Sequence, residues 1–194
     1  YNEFSELLPK YPSPIKPFDL NEIHEKSIFQ ILSEKDIFLH HPYNSFDPVI
    51  KLLKEAAEDP DVLSIKITLY RTAKNSRVID ELLKAAENGK HVSVLFEVKA
   101  RFDEENNFKN GYKLEKAGCY VIYGIGSLKT HTKLLLIVRR EGKKVKNYAH
   151  MGTGNYNETT SRLYTDLSLM TSNQKYTKDA LEFFNVITGH SVPD

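Results

Sequence analysis

The sequence predicts an α/β fold, a single domain with a mixed sheet flanked by helices. Three observations carry that reading. Leu63, Ile65, Ile67 and Leu69 alternate with Ser64, Lys66, Thr68 and Tyr70, the period of a strand with two unlike faces. Strand and helix patterns then take turns from Asp47 to Tyr123, as in a parallel sheet joined by crossover helices. Past that point Glu141-Gly142 joins two apolar runs closely enough for a hairpin, so part of the sheet is antiparallel.

The elements follow in order. Pro9, Pro12, Pro14 and Pro17, four of the eight prolines, fall in residues 1–18, which read as a linker from a preceding domain. The chain opens on Tyr1 rather than Met and is expected to be a piece of a longer protein, with its domain over residues 19–194. A short helix is predicted over His24–Leu32 and a short strand at Ile37-Phe38-Leu39, broken by Pro42. Asp47 is the expected N-cap of the next helix, with Pro48 at its first position and Val49, Ile50, Leu52, Leu53, Ala56 and Ala57 inward. After the strand that ends near Tyr70, Ser76 caps a helix closed by Asn88-Gly89. Val92, Val94, Phe96 and Val98 mark another strand, Asp103 to Ala117 a helix, and Cys119–Tyr123 a third strand. Leu134–Arg139, Val145–His150 and Leu167–Met170 complete the strands, and a helix capped by Thr177 closes the chain.

Composition excludes several classes. A net charge of +1 over 194 residues does not suggest nonspecific nucleic-acid binding, so an anion site must come from local clustering. Cys119 is the one cysteine, which rules out an internal disulfide and a cysteine zinc site and fits a reducing compartment. No apolar run is long enough to span a bilayer and no signal peptide is visible. The expected location is the cytoplasm.

Candidate chemistry gathers at one edge of the sheet. Right-handed crossovers bring the carboxyl ends of parallel strands to a common edge, where open α/β sheets bind ligands. Arg71 and Arg101 each fall just past a strand end. An antiparallel return places His131 and Lys133 at the start of the returning strand, side by side on one face. The next strand carries Gly152-Thr153-Gly154-Asn155 back to the edge, and Tyr164 precedes one more strand there. A histidine beside a buried strand is commonly structural; the cationic and Gly/Asn company here points instead to a multiply charged anion. Guanidinium groups fork onto phosphate oxygens, glycines admit a ligand close to the backbone, and a neutral imidazole can attack phosphorus. No carboxylate pair suits glycosidase chemistry and no P-loop is present. His40-His41 with Asp47 makes a weaker metal candidate, because adjacent strand residues face opposite ways.

Six stretches carry a resemblance to a known family: His40-His41-Pro42-Tyr43-Asn44-Ser45-Phe46-Asp47-Pro48, Thr68-Leu69-Tyr70-Arg71, Lys99-Ala100-Arg101-Phe102-Asp103-Glu104, Thr130-His131-Thr132-Lys133, Gly152-Thr153-Gly154-Asn155-Tyr156-Asn157 and Arg162-Leu163-Tyr164-Thr165-Asp166. In order and spacing the sequence resembles the bacterial polyphosphate kinases that work through a phosphohistidine. The resemblance implies a phospholipase-D-like fold, the first of two such C-terminal domains. It implies that His131 takes the terminal phosphate of ATP and passes it to polyphosphate, and that Tyr164 contacts ATP. Arg71 and Arg101 match a pair assigned to a magnesium–phosphate site. Guanidinium has no lone pair for a metal, so these two read as phosphate clamps beside a magnesium ion. Lys133 and Asn155 match the phospholipase-D-like signature and are inferred to bind phosphate. The implied partners are ATP or ADP, polyphosphate and the remaining domains of the enzyme. The full-length protein is expected to be a homo-oligomer, with a peripheral association at the inner membrane open to it.

Two other functions compete. A phospholipase-D-type phosphodiesterase needs an Asp five residues after the lysine of His-x-Lys; Val138 stands there, followed by Arg139. A noncatalytic polyanion-binding module is the third reading. Only one His-x-Lys pair, His131-Thr132-Lys133, leads into an apolar strand, so the isolated piece is expected to fold without turning over.

Overall fold

The computed structural model describes residues 25–97, 104–125 and 129–189. The expected linker over 1–18 lies outside them, as do Val98 and Arg101. Five α-helices and seven strands follow along the described chain: α1 (Ile28–Glu34), β1 (Ile37–His41), α2 (Asp47–Glu58), β2 (Val62–Leu69), α3 (Arg77–Glu87), β3 (His91–Phe96), α4 (Glu104–Lys116), β4 (Tyr120–Tyr123), β5 (Lys133–Glu141), β6 (Lys144–Gly152), β7 (Asp166–Thr171) and α5 (Gln174–Ile187). No helix among the described residues is long and apolar enough to cross a membrane.

The seven strands form one mixed sheet in the order β1-β7-β6-β5-β2-β3-β4. β2, β3 and β4 are parallel, as the alternation of strand and helix requires. β5 then crosses back over two strands and pairs antiparallel with β2, with Ile67 opposite Leu135. The antiparallel return was legible; its partner was not. Gly142, at φ 63°, turns β5 into β6, and β7 and β1 extend the antiparallel half.

Two apolar layers cover the sheet. Ile65, Ile67, Val94, Phe96, Leu135 and Ile137 point into the larger one, beneath α1 to α4. Their neighbours Leu134 and Leu136 point the other way, with Ala149, against Ala180 and Phe184 of α5. Val138 packs beside this second layer. Burying Phe184 contributes roughly 2–3 kcal/mol to holding α5 down.

Several helix starts differ from expectation. α1 begins at Ile28 rather than near His24, because the Ser27 side chain accepts from the Phe29 N–H and caps it. In α2 Phe46 occupies the cap position and Asp47 is the first helical residue; its carboxylate pairs with Arg77 at 2.9 Å instead of capping. Ser76 does precede α3, but the first-turn N–H of Arg77 is met by the Glu158 carboxylate at 2.6 Å. α5 is capped by Asn173, which accepts from the Lys175 N–H, while Thr177 is buried inside the first turn.

Candidate active site

β2, β3, β4 and β6 end, and β5 and β7 begin, at one edge of the sheet. The segment 129–133 crosses that edge and is held by two strand ends. Near the end of β2, the Thr68 hydroxyl donates to the Thr132 carbonyl at 2.6 Å and accepts from the Leu134 N–H at 3.0 Å. Just past β3, the buried Glu97 carboxylate accepts from the Thr130 N–H at 2.6 Å.

His131, between these anchors, is exposed. Its ring meets the Tyr70 ring edge-on, with centroids 5.4 Å apart and planes at 79°. The Lys133 and Lys129 ammonium groups each stand 5.5 Å from the centre of that same ring, and the Arg71 guanidinium stands 5.7 Å from it. Three of the sequence-predicted site residues, Arg71, His131 and Lys133, are therefore gathered round one tyrosine. The expectation that His131 and Lys133 both emerge from a strand needs correction. β5 starts at Lys133, so His131 precedes it. Lys133 is 5% exposed and folds its ammonium back onto the His131 carbonyl at 2.6 Å.

Electrostatics follow from this packing. Partial burial lowers the pKa of the His131 imidazole, and the Lys133 and Lys129 charges push it further the same way. The ring therefore stays neutral, with a lone pair available, near pH 7. Burial also lowers the Lys133 pKa, while the Asp166 carboxylate pulls it back up.

Asp166 explains one of the glycines. The Thr153 hydroxyl donates to Asp166 at 2.7 Å, and a Cβ at Gly154 would stand 2.6 Å from the other carboxylate oxygen. Gly154 is small because Asp166 fills the space, whereas the sequence suggested room for a ligand. Gly152 opposes Lys133 across the β5–β6 ladder. Asn155 keeps a buried side-chain oxygen with no hydrogen-bond partner among the described residues. Tyr164 follows the short turn Thr160–Arg162 and is 63% exposed. A cleft of about 580 Å³ opens beside His131, between Lys133, Gly152 and Thr153 on one wall and Tyr176 and Phe183 of α5 on the other.

The histidine pair does not join this site. His41 is buried, its Nδ1 donating to the Asn44 carbonyl at 2.8 Å and its Nε2 3.3 Å from the Ser168 hydroxyl. Asp47 is engaged with Arg77 instead. Among the described residues no group of three or more His, Cys, Asp or Glu is placed to hold a metal.

Sequence reasoning overlooked Tyr70 as a site residue and gave no role to Asn106, Asn107 and Asn110. Asn107 donates to the Tyr70 carbonyl at 2.7 Å, Asn106 to the Thr72 carbonyl at 3.0 Å, and Asn110 to the Thr72 hydroxyl at 3.0 Å. Asn107 and Asn110 are buried. Three asparagines within five residues of a helix are poor helix formers, and that was the available signal.

The chain matches the family model described as polyphosphate kinase C-terminal domain 1 over residues 27–193. It is 53% identical over 189 residues to a polyphosphate kinase of Halalkalibacterium halodurans, covering 97% of this chain and 26% of that protein. The chain thus spans about a quarter of the length of the curated relatives it matches. The crystal structure of polyphosphate kinase from Porphyromonas gingivalis superposes with a TM-score of 0.82 at 38% identity, over 97% of this chain and 31% of that one. Nuc from Salmonella typhimurium, a phospholipase D family member, matches at a TM-score of 0.61 and 12% identity, over 80% of this chain and 95% of that one, a likeness of fold alone. The fold is phospholipase-D-like, and the chain belongs to the polyphosphate kinase family as its C-terminal domain 1.

Proposed function

We propose that His131 is the phosphate acceptor of a polyphosphate kinase, working within a longer protein. The observation that carries this reading is an exposed imidazole, held neutral, against a tyrosine ring that three cations also meet, beside an open cleft. A ring nitrogen of His131 attacks the terminal phosphorus of ATP; the N–P bond forms as the bond to the ADP oxygen breaks. A terminal oxygen of polyphosphate then attacks the same phosphorus, the N–P bond breaks, and the neutral imidazole returns. Each step is reversible. Arg71, Lys129 and Lys133 neutralise charge on the oxygens along the in-line path. Arg101, Asn155 and Tyr164 are assigned to phosphate and ATP by family resemblance.

Magnesium enters this reading with the nucleotide. Arginine offers no lone pair, and no carboxylate or imidazole cluster stands ready among the described residues. Among the described residues the donor set does not make a protein-ligated magnesium site, and Arg71 and Arg101 are read as acting on phosphate. The phosphodiesterase alternative loses support at Val138, which packs on the apolar layer under α5 where that chemistry would need a carboxylate.

The test is His131→Ala in the full-length enzyme. Polyphosphate synthesis from ATP should be abolished; synthesis near the wild-type rate would overturn the reading.

A further inference from the structure

Tyr70 stands where the site converges, and nothing in the reaction as written uses it. Its ring stands nearly perpendicular to that of His131 and lies within 6 Å of three cations: Arg71 at 5.7 Å, Lys129 at 5.5 Å and Lys133 at 5.5 Å. An aromatic face carries negative charge density and attracts cations at these distances. Three like charges crowded round one ring repel each other, and the ring between them offsets part of that repulsion. The ring also limits where the imidazole can swing, which matters because an attacking lone pair must lie in line with the breaking bond.

The backbone under Tyr70 is fixed with matching care. Asn107, fully buried, donates to its carbonyl at 2.7 Å. Two residues on, Thr72 is held at its carbonyl by Asn106 and at its hydroxyl by Asn110. These bonds straddle Arg71, so α4 pins the turn that presents both the ring and the guanidinium. The Tyr70 hydroxyl makes no hydrogen bond among the described residues, so the ring itself carries the role.

We infer that Tyr70 is the positioning residue for His131, its ring orienting the imidazole and holding the cations of Arg71, Lys129 and Lys133 around it. The inference rests on reading His131 as the phosphate acceptor.

The experiment compares Tyr70→Phe and Tyr70→Leu in the full-length enzyme. Phosphorylation of His131 by labelled ATP is followed in single turnover, and the His131 imidazole is titrated by NMR. Tyr70→Phe keeps the ring and should phosphorylate within about threefold of wild type, because the cation–ring attraction survives. Tyr70→Leu should lose about tenfold or more at saturating ATP, with little change in the ATP concentration for half-maximal rate. Its imidazole should titrate differently from wild type, and that of Tyr70→Phe should not. A Tyr70→Leu enzyme with wild-type rate and titration would overturn the inference, as would a Tyr70→Phe enzyme as impaired as Tyr70→Leu. If wild-type enzyme takes no label on His131, the acceptor reading fails. The titration then decides separately whether Tyr70 sets the imidazole.

Discussion

The Thr68 hydroxyl donates to the carbonyl of Thr132, the residue directly after His131, at 2.6 Å. The same oxygen accepts from the Leu134 N–H, so one side chain of β2 grips the backbone on both sides of Lys133. Thr68→Val keeps the shape and removes the grip. The domain should lose about 1–3 kcal/mol of stability, the cost of leaving buried backbone groups unpaired. Chemical denaturation measures this. An unchanged midpoint would mean that the hydroxyl does not hold the loop.

The role proposed for Arg71 is on phosphate rather than on the fold. It lies past the end of β2, and its guanidinium is drawn over Tyr70 at the rim. Arg71→Ala should melt near the wild-type temperature while polyphosphate synthesis falls by roughly two to three decades, as for loss of a preorganised oxyanion donor. Arg71→Lys should recover only part of that, because an ammonium cannot fork onto two oxygens. A large drop in melting temperature, with normal kinetics in the folded fraction, would reverse the assignment.

The pH dependence of phosphorylation should follow from the partial burial of His131 and from the charges around it. Its folded pKa lies below the ordinary 6.5, so the reactive neutral form persists at lower pH. The rate is lost as pH falls through that lowered value. Lys129→Gln removes one of the cations responsible, the imidazole pKa rises, and the acid limb should move to higher pH. A limb that moves down, or stays in place, would show that Lys129 does not act on the imidazole.

His150 gives the fold an acid sensitivity of its own. It is buried, with Nδ1 2.7 Å from the Tyr156 hydroxyl, and burial pushes its pKa down to about 3. The unfolded chain protonates the same group near 6.5. Between those values the unfolded state binds more protons, so this contribution is fully present above pH 6.5 and is lost as pH falls toward 3. The slope from one group approaches about 1.4 kcal/mol per pH unit. Thermal melts should show His150→Gln flattening the decline of stability below neutral pH. A decline as steep as wild type would place its origin elsewhere.

How much of this the sequence held depends on the kind of interaction. The inward turns of Ile65, Ile67 and Leu69 and the inward face of α2 needed only local period, and the structure keeps them; a register shift between Val62 and Ser64 buries Val62 in place of Leu63. The place of β5 beside β2 depends on which strand edge is open once β2, β3 and β4 have assembled, and no local pattern encodes it. Helix caps went wrong where a distant group took over: Arg77 drew Asp47 away, and Glu158 supplied the bond expected of Ser76. His131 and Lys133 were legible from their spacing and company. Tyr70 was not, because a tyrosine at the end of a strand has many uses; only the convergence of four side chains on its ring separates this one. Asn107 could have been suspected, since a buried asparagine in a helix must have a partner.

The most direct measurement is where phosphate goes when the full-length enzyme meets labelled ATP and magnesium without polyphosphate. Proteolysis and peptide mapping under alkaline conditions preserve an acid-labile phosphohistidine. The account predicts label on the peptide holding His131, discharged to polyphosphate on its addition and absent from His131→Ala. Label on another residue, or label that survives in His131→Ala, would contradict it.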